Sequence, residues 1–390
     1  MKILFCLWGS LCESGMINAI NNLGYDLIIF DRKYNDSNYD KDYFLSLANF
    51  IKDSDNIDCV LSINFTPIIA RACKPFNIPY ISLTADCPCS NLYSKTIEYP
   101  NNRIFLFDKL QVEKYQQYNP TNIHHLPLAT DTITWDKISL TKSDIEKYSS
   151  DVSFVGSLYT EMCPYNKISH LLNDETKGYV DGLIAAQQNV YGYYFIEDAI
   201  SEGWVRSFQR QANLSSVEED YFDDIRGIIA DNYIGYKCTE QERTNTLATL
   251  SQHFNVDLWT LSDSSNLPRI NNRGPADSGT DMPKIFKCSK INLNMTNRAI
   301  RSGIPLRILD IMGCGGFLIT NYQTEILDYF IPDEDIVIYD SIPDLVNKIH
   351  FYLNNDAERA RIAFNGYNKV KQLHTYENRL EYMLKASGLL

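Results

Sequence analysis

The residues best suited to chemistry lie in segment 289–321, where an apolar strand passes through a polar, basic loop into a helix. The sequence Gly303-Ile304-Pro305 precedes the helix, and proline suits a first helical turn. Arg307 lies in that first turn, where its guanidinium fork and the helix dipole together favour a diphosphate. Asp310, three positions further on, lies near the same face and would accept hydrogen bonds from the paired hydroxyls of a ribose. The spacing predicts a nucleotide site, with a solvated Arg–Asp pair as the alternative.

A second anion-binding feature follows the apolar run 151–155, which passes directly into Gly156 and Ser157. A strand that ends in glycine lets backbone N–H groups approach an anion without an intervening Cβ. A glycine at a tight strand exit explains the pattern equally well. The remaining candidates for donor binding are two polar side chains and two glycines after the helix of Arg307: Arg243, Asn294, Gly315 and Gly316.

Two carboxylates follow apolar strands in the first half and are candidates for a general base. Asp86 comes after the strand at 80–83, although a turn or cap before Pro88 explains it equally well. Glu13, near the exit of the first strand, is the second candidate. His124 and His125 are expected in a loop, and isolated histidines are more often structural.

Regularly alternating elements must position these residues. Apolar runs in the first half predict strands at 2–7, 26–30, 59–63, 80–83 and 103–107, with helices at 13–22, 40–53, 67–73 and 109–118. Such alternation with short polar joints is typical of a parallel sheet covered by helices on both faces. The first half is therefore predicted to be a Rossmann-like layer.

The second half is predicted to be another α/β layer that carries a helical insertion. A polar linker at 128–150 precedes the strand at 151–155, and the insertion covers about 166–236, with helices at 178–194 and 217–229. The alternation then resumes in the strands and helices predicted at 239–253, 256–261, 291–295, 305–312, 317–320, 325–330, 336–339, 341–353 and 356–374, with a loop at 262–283. The predicted domains are 1–145 and 150–376, and their parallel sheets should face a central ligand-binding cleft.

Composition excludes several classes of protein. The chain has 390 residues and a net charge of −13, and its pI near 5.0 argues against nucleic-acid binding as its main task. The longest apolar runs are far shorter than the ~20 residues of a membrane span. No signal-peptide cleavage pattern follows the N-terminus, so we expect a cytoplasmic protein. The ten cysteines lack paired CxxC spacing, so we expect no metal site.

Residues 305–318 (PLRILDIMGCGGFL) resemble the R-x-x-E-x-x-A-x-G donor-site segment of glycosyltransferases related to the spore maturation protein CgeB, in the broad GT-B group. The resemblance extends over much of the chain, and no single motif carries it. The other similar segments are 85–88, 125–129, 151–157, 336–339, 344–345, 358–359 and 374–376.

The resemblance implies transfer of a sugar from a nucleotide-diphosphate-sugar, such as a UDP-sugar, to a glycan or protein acceptor, without a metal or other cofactor. The C-terminal layer would bind the donor through Arg307 and the loop at 156–157, and the final helix, 377–390, would pack back on the N-terminal layer. Asp310 replaces the family's ribose-binding Glu. Ser302 stands where retaining relatives of the E-x7-E type carry another Glu. This departure leaves the stereochemical outcome open, together with two rivals: a nucleotide-sugar epimerase and a non-catalytic nucleotide-sugar-binding module.

Overall fold

Two six-stranded parallel sheets form the framework of the chain. The computed structural model describes residues 1–215 and 219–390. In the first sheet the strands are β1 Lys2–Leu7, β2 Asp26–Asp31, β3 Cys59–Ile63, β4 Tyr80–Thr84, β5 Asn102–Leu106 and β6 Ile123–His125. In the second they are β7 Ser150–Val155, β8 Val256–Trp259, β9 Asn271–Gly274, β10 Ser289–Asn294, β11 Leu318–Asn321 and β12 Val337–Tyr339. The predicted alternation of strands and helices around two parallel sheets is confirmed.

α-Helices lie in most of the connections between the strands. They are α1 Glu13–Asn22, α2 Lys41–Asp53, α3 Pro67–Cys73, α4 Lys109–Gln116, α5 Thr132–Asp136, α6 Lys142–Tyr148, α7 Pro164–Ile168, α8 Asp174–Gln187, α9 Ile196–Ala199, α10 Glu202–Gln211, α11 Ile225–Ile228, α12 Tyr236–Leu250, α13 Asp281–Cys288, α14 Leu306–Gly313, α15 Ile326–Tyr329, α16 Ile342–Leu353, α17 Asp356–Leu373 and α18 Tyr376–Ala386. A π-helical segment, Ile229–Gly235, joins α11 to α12.

The first sheet has the strand order β2-β1-β3-β4-β5-β6. Its central strands are continuous apolar runs because helices cover both of their faces; β3 and β4 are buried along their whole length. A loop is predicted around His124 and His125, but both residues lie in the edge strand β6. Three residues are too short to produce a recognisable apolar run, and pairing with β5 supplies the strand conformation instead.

The second sheet has the order β12-β11-β10-β7-β8-β9. Two regions predicted to lack regular structure contain short elements. The edge strand β9, of sequence NNRG, lies within the predicted loop and is largely exposed, so no apolar alternation marks it. The predicted linker contains α5 and α6, and α6 begins with a capping box between Thr141 and Asp144. Polar caps rather than apolar periodicity define that helix.

The helical insertion has an apolar core of its own. That core contains Cys163, Val180, Ile184, Val205, Phe208, Ile229 and Ile234. The helix predicted over 178–194 is wrong at both ends, because α8 begins at Asp174 under an Asn173 cap and ends at Gln187. The helix predicted over 217–229 begins among residues 216–218, which lie outside the described part of the chain; the described remainder is helical only from Ile225.

The chain divides into two compact units. The first comprises residues 1–130, 219–223 and 373–390, and the second comprises the described residues of 131–215 and 224–372. Within the first unit α18 packs on α1, and the Arg379 guanidinium donates to the carbonyl oxygens of Pro127 and Leu128. In the same unit, Phe222 stacks on Tyr118 with ring centroids 3.7 Å apart. The sequence placed the boundary later, at 145–150, because the polar stretch 128–150 has no apolar period.

Among the helices of the described residues, none combines the length and the apolar character that crossing a membrane requires.

Candidate functional site

The carboxyl ends of β7 and β10 lie side by side at one edge of the second sheet. These two strands are parallel neighbours, with Leu293 opposite Phe154. Beyond them the chain continues as Gly156-Ser157 and as Met295-Thr296 respectively. Ligands of open α/β sheets bind at this kind of edge, because the loops there are free to vary while the strands hold them in place.

Arg243, on α12, joins the two strand exits. Its Nη1 donates to the Ser157 carbonyl oxygen at 2.6 Å, and its Nη2 donates to the Met295 carbonyl oxygen at 2.5 Å. The guanidinium lies 5.3 Å from the ring centroid of Phe154 and 4.8 Å from that of Tyr159. Burial lowers the pKa of Arg243, since desolvation disfavours its charged form. This cation is therefore held by neutral carbonyl groups at the mouths of two strands.

Arg307 is the second residue of α14 and is also partly buried. Its Nη1 donates to the Met282 thioether sulfur at 2.7 Å, and its guanidinium lies 5.5 Å from the ring centroid of Phe286. Within the described residues no carboxylate forms an ion pair with it. Burial lowers the pKa of Arg307, the charge of Asp310 opposes that shift, and the charge of Arg243 lowers the pKa further. A thioether is a weak acceptor, so most of the guanidinium fork is available to a stronger one.

Asp310 lies one turn after Arg307 on α14 and is half-buried. Its charge acts on both Arg307 and Cys314, so the carboxylate lies near the middle of the helix. The predicted juxtaposition of Arg307 and Asp310 on one helix is therefore present. The arrangement combines a basic group for phosphate with a carboxylate acceptor for hydroxyl groups.

Gly315 and Gly316, predicted as donor-binding, lie at the opposite end of α14, roughly 12 Å along its axis. Gly315 has a φ of +76°, a left-handed conformation that ends the helix. A Cβ on Gly316 would lie 2.7 Å from the Phe286 carbonyl oxygen and 2.9 Å from Asn292 Nδ2. The absence of a side chain at Gly316 lets the helix end pack closely against α13 and β10.

The groups of Gly156 and Ser157 form more hydrogen bonds within the protein than the sequence pattern predicts. The Gly156 N–H donates to the Trp259 carbonyl oxygen at 3.1 Å and extends the pairing of β7 with β8. The Ser157 hydroxyl accepts from the Tyr159 N–H at 2.7 Å and donates to Glu161 Oε1 at 3.1 Å. The Ser157 carbonyl oxygen accepts a hydrogen bond from Arg243, and this bond connects the loop to the basic site.

Asn294, another predicted donor-binding residue, is buried at the end of β10. Its Nδ2 donates to Thr296 Oγ1 at 3.0 Å and to Thr320 Oγ1 at 2.9 Å. The side chain thus joins the exits of β10 and β11 and orients the loop that begins at Met295. Its contribution to a ligand site is the placement of that loop.

The candidate bases belong to the first unit. Glu13 is buried, and its Oε1 accepts from the N–H groups of Trp8 and Gly9 at 2.8 and 3.1 Å, which fixes the turn after β1. Asp86 accepts from Asn64 Nδ2 at 2.6 Å, while Asn64 Oδ1 accepts from the Ala85 N–H. Partial burial raises the pKa of Asp86, and the bond from Asn64 opposes this. Of the two side chains, Asp86 is exposed, whereas Glu13 is buried.

The two histidines occupy the edge strand β6. The ring of His124 stacks on Phe105 with centroids 5.1 Å apart. Burial lowers the pKa of His124, and the charge of Arg103 lowers it further. This environment keeps the ring neutral and accounts for the histidine as a packing residue.

Sequence reasoning missed the side chains that hold the two arginines. Met282 and Phe286 of α13 position Arg307, and Phe154 and Tyr159 flank Arg243. The loop predicted at 262–283 overlaps the start of α13 and hides the apolar spacing of that helix. Among the described residues, no group of three or more His, Cys, Asp or Glu side chains is arranged to hold a metal ion.

Comparisons with known proteins bear on the same region. Residues 243–385 match the family model described as Glycosyl transferase-like. This part of the chain is similar to that family. It contains both arginines and Asp310. Among curated proteins, none matches the sequence.

Solved structures match over the whole chain and have the GT-B fold. A glycosyltransferase from Rickettsia africae has a TM-score of 0.54 at 12% identity, covering 99% of this chain and 98% of its own. A sucrose-phosphate synthase from Thermosynechococcus elongatus has 0.55 at 12%, covering 99% and 100%. The Anabaena protein Alr3699/HepE, in complex with UDP-glucose, has 0.53 at 11%, covering 100% of both chains. The predicted GT-B fold is confirmed; at these identities the likeness concerns the fold alone.

Proposed function

We propose that the protein is a glycosyltransferase that moves a hexose from a nucleotide-diphosphate-sugar to a glycan or protein acceptor. The observation that carries the proposal is the pair Arg243 and Arg307. These cations lie close enough for the charge of Arg243 to lower the pKa of Arg307, and their hydrogen-bond acceptors are carbonyls and a thioether. A diphosphate would relieve their repulsion and satisfy the Arg307 fork.

The same pair would stabilise the leaving group. Negative charge accumulates on the diphosphate as the bond to the sugar breaks, and fixed guanidinium groups in a partly buried site stabilise it without reorganisation. We propose that this makes the reaction independent of a metal ion. Asp310, one turn along α14, would accept hydrogen bonds from the ribose hydroxyls. The family match over residues 243–385 and the UDP-glucose complex of the Anabaena relative support these assignments.

We assign the acceptor-side base to Asp86 in the first unit. Its pKa is raised by partial burial, which suits a group that must take up a proton, and Asn64 fixes its orientation. Glu13 is less suited, because its carboxylate already accepts from two backbone N–H groups.

Ligand-induced thermal stabilisation tests the donor site. The purified chain is heated with UDP, GDP, ADP or dTDP and with the corresponding sugars, in the presence and absence of EDTA. A nucleotide present at 100 times its Kd adds about 2.7 kcal/mol to the free energy of unfolding. We expect EDTA to leave the stabilisation by the best ligand unchanged.

Arg307→Met is the matched variant, because the methionine can pack against Met282 and Phe286 without the charge. We expect it to abolish most of the stabilisation. Arg361→Met, in an exposed ion pair with Glu358 on α17, is the control and should keep it. An Arg307 variant that is stabilised as strongly as the control would remove this residue from the donor site.

Turnover assays separate the rival activities. A transferase consumes the donor rapidly only when an acceptor is present, whereas an epimerase converts the sugar without one. Binding without turnover on any acceptor would instead indicate a non-catalytic module. The last alternative follows from Ser302, which stands where retaining relatives of the E-x7-E type carry a Glu. Its buried hydroxyl donates to Glu325 Oε1 at 2.6 Å.

A further inference from the structure

Tyr159, which follows the exit of β7, has a backbone conformation that tyrosine rarely adopts. Its φ is +66°, in the left-handed region. Among the described residues, the other non-glycine residues with a positive φ are Asn56, Asn64, Asn77, Asn213 and Asp333. Asparagine and aspartate tolerate this region, whereas a bulky side chain in it has a cost in free energy. Such strained residues cluster at functional sites, where the surrounding structure maintains them.

Hydrogen bonds of the main chain maintain the conformation of Tyr159. Its N–H donates to Ser157 Oγ at 2.7 Å, and its carbonyl oxygen accepts from the Cys163 N–H at 3.0 Å. The first bond closes a short turn directly after β7, and the second leads into α7. The left-handed turn is therefore part of the same loop whose Ser157 carbonyl oxygen accepts from Arg243.

The ring of Tyr159 lies against the basic site. Its centroid is 4.8 Å from the Arg243 guanidinium, which is within the range of a cation–π interaction. The ring of Tyr236, on α12, packs edge-on against it, with centroids 5.1 Å apart and an angle of 87° between the planes. The Tyr159 hydroxyl accepts from Asn297 Nδ2 at 3.4 Å. Contacts at the ring and at the hydroxyl thus fix this side chain.

Neutral groups determine the position of Arg243. Its hydrogen bonds go to the carbonyl oxygens of Ser157 and Met295, which carry no formal charge. Its guanidinium is half-buried, and the faces of aromatic rings compensate part of the hydration that burial removes. Tyr159 at 4.8 Å and Phe154 at 5.3 Å are the two rings that do so.

We propose that Tyr159 is a positioning residue whose ring fixes the guanidinium of Arg243 for the diphosphate of the donor. The proposal rests on the proposed function. A carboxylate partner would also fix the guanidinium, but it would neutralise the charge that attracts the diphosphate. An aromatic ring fixes the cation and leaves its charge in place. The left-handed backbone that accompanies this placement of the ring has a cost in stability, and a role in binding explains why that cost is tolerated.

Two substitutions separate the ring from the backbone conformation. Tyr159→Ala removes the ring and leaves a residue that is strained at this φ, whereas Tyr159→Gly removes the ring and accepts the φ. Without ligand, the melting temperature of the Gly variant should be at least about 2 °C above that of the Ala variant. Both variants should nevertheless bind the nucleotide at least about fivefold more weakly than the wild-type chain, because both lack the ring. Calorimetry measures the affinity, and the probe is whichever of UDP, GDP, ADP and dTDP stabilises the wild-type chain most.

Tyr159→Phe keeps the ring and should recover most of the lost affinity. Tyr179→Ala is the control: it removes a ring of α8 that is 39% exposed and packs on Trp204 with centroids 5.3 Å apart. This control should lower the melting temperature without weakening nucleotide binding. Wild-type affinity in the Gly variant, no recovery in the Phe variant, or an equal loss of affinity in the control would overturn the positioning role. If none of the four nucleotides binds the wild-type chain, the proposed function itself fails.

Discussion

Replacing Glu242 by glutamine should lower the free energy of unfolding of the second unit by about 3 kcal/mol, because it leaves the Arg298 charge buried with a neutral partner. The side chains of Arg298 and Glu242 are only 7% and 6% exposed. The guanidinium also donates to the Val190 carbonyl oxygen at 2.8 Å and lies 4.3 Å from the ring centroid of Tyr191. Burial opposes the charged form of Arg298, and Glu242 reverses this and raises its pKa above the ordinary value.

The magnitude follows from what the substitution removes. Breaking a buried ion pair by deleting one charge costs about 3–5 kcal/mol, and glutamine keeps one acceptor oxygen, so the lower end applies. For a unit of this size a change of 1 kcal/mol moves the melting temperature by about 2–4 °C, which gives a decrease of roughly 10 °C. The double variant Glu242→Gln/Arg298→Met removes the buried charge itself and should recover most of the loss.

Urea unfolding followed by circular dichroism, without ligand, measures the effect. Glu358→Gln is the matched control: it breaks an arginine–carboxylate pair in the same unit, with Arg361, in which both side chains are more than one third exposed. Such a pair contributes about 0–1 kcal/mol. If Glu242→Gln destabilises the protein no more than Glu358→Gln does, the reasoning from burial is wrong.

Two further predictions concern the site. Gly316→Ala should destabilise the protein by about 1–3 kcal/mol in urea unfolding, because its Cβ would lie 2.7 Å from a backbone oxygen, whereas Gly156→Ala, with a nearest atom at 3.4 Å, should be tolerated; equal effects would contradict this. Asn64→Gly keeps a residue that accepts the observed φ of +61° and removes the amide that stabilises the Asp86 carboxylate. The pKa of Asp86 should rise, so the acidic limb of kcat/KM should move to higher pH; a shift to lower pH, or none, would exclude Asp86 as the base.

The parallel sheets could be predicted from the sequence because buried central strands are continuous apolar runs. The apolar runs before Gly9 and Gly156 indicated β1 and β7 for this reason. The elements that the sequence does not predict are those that are not marked by an apolar run. The edge strand β9 is polar and exposed, and α6 is defined by its capping box.

The candidate site was predictable where its residues share one helix. Arg307 and Asp310 are three positions apart, so their spacing alone brings them together. Arg243 is 64 positions before Arg307 in the sequence. Its place in the site follows from its hydrogen bonds to the carbonyl oxygens at the ends of β7 and β10, which the sequence does not show.

The packing of α18 has a consequence for biosynthesis. The guanidinium of Arg379 binds the carbonyls of Pro127 and Leu128, and Tyr376 lies so close to Gly15 that no Cβ could be accommodated there. During translation these contacts become available only after the ribosome has passed residue 379, and therefore after it has made every strand of the other sheet. Until α18 has been made, the surface of α1 in the first unit remains uncovered, although all residues of the second unit have already been made. Nonsense mutations that remove α18 should consequently expose the surface of α1 to chaperones and proteases.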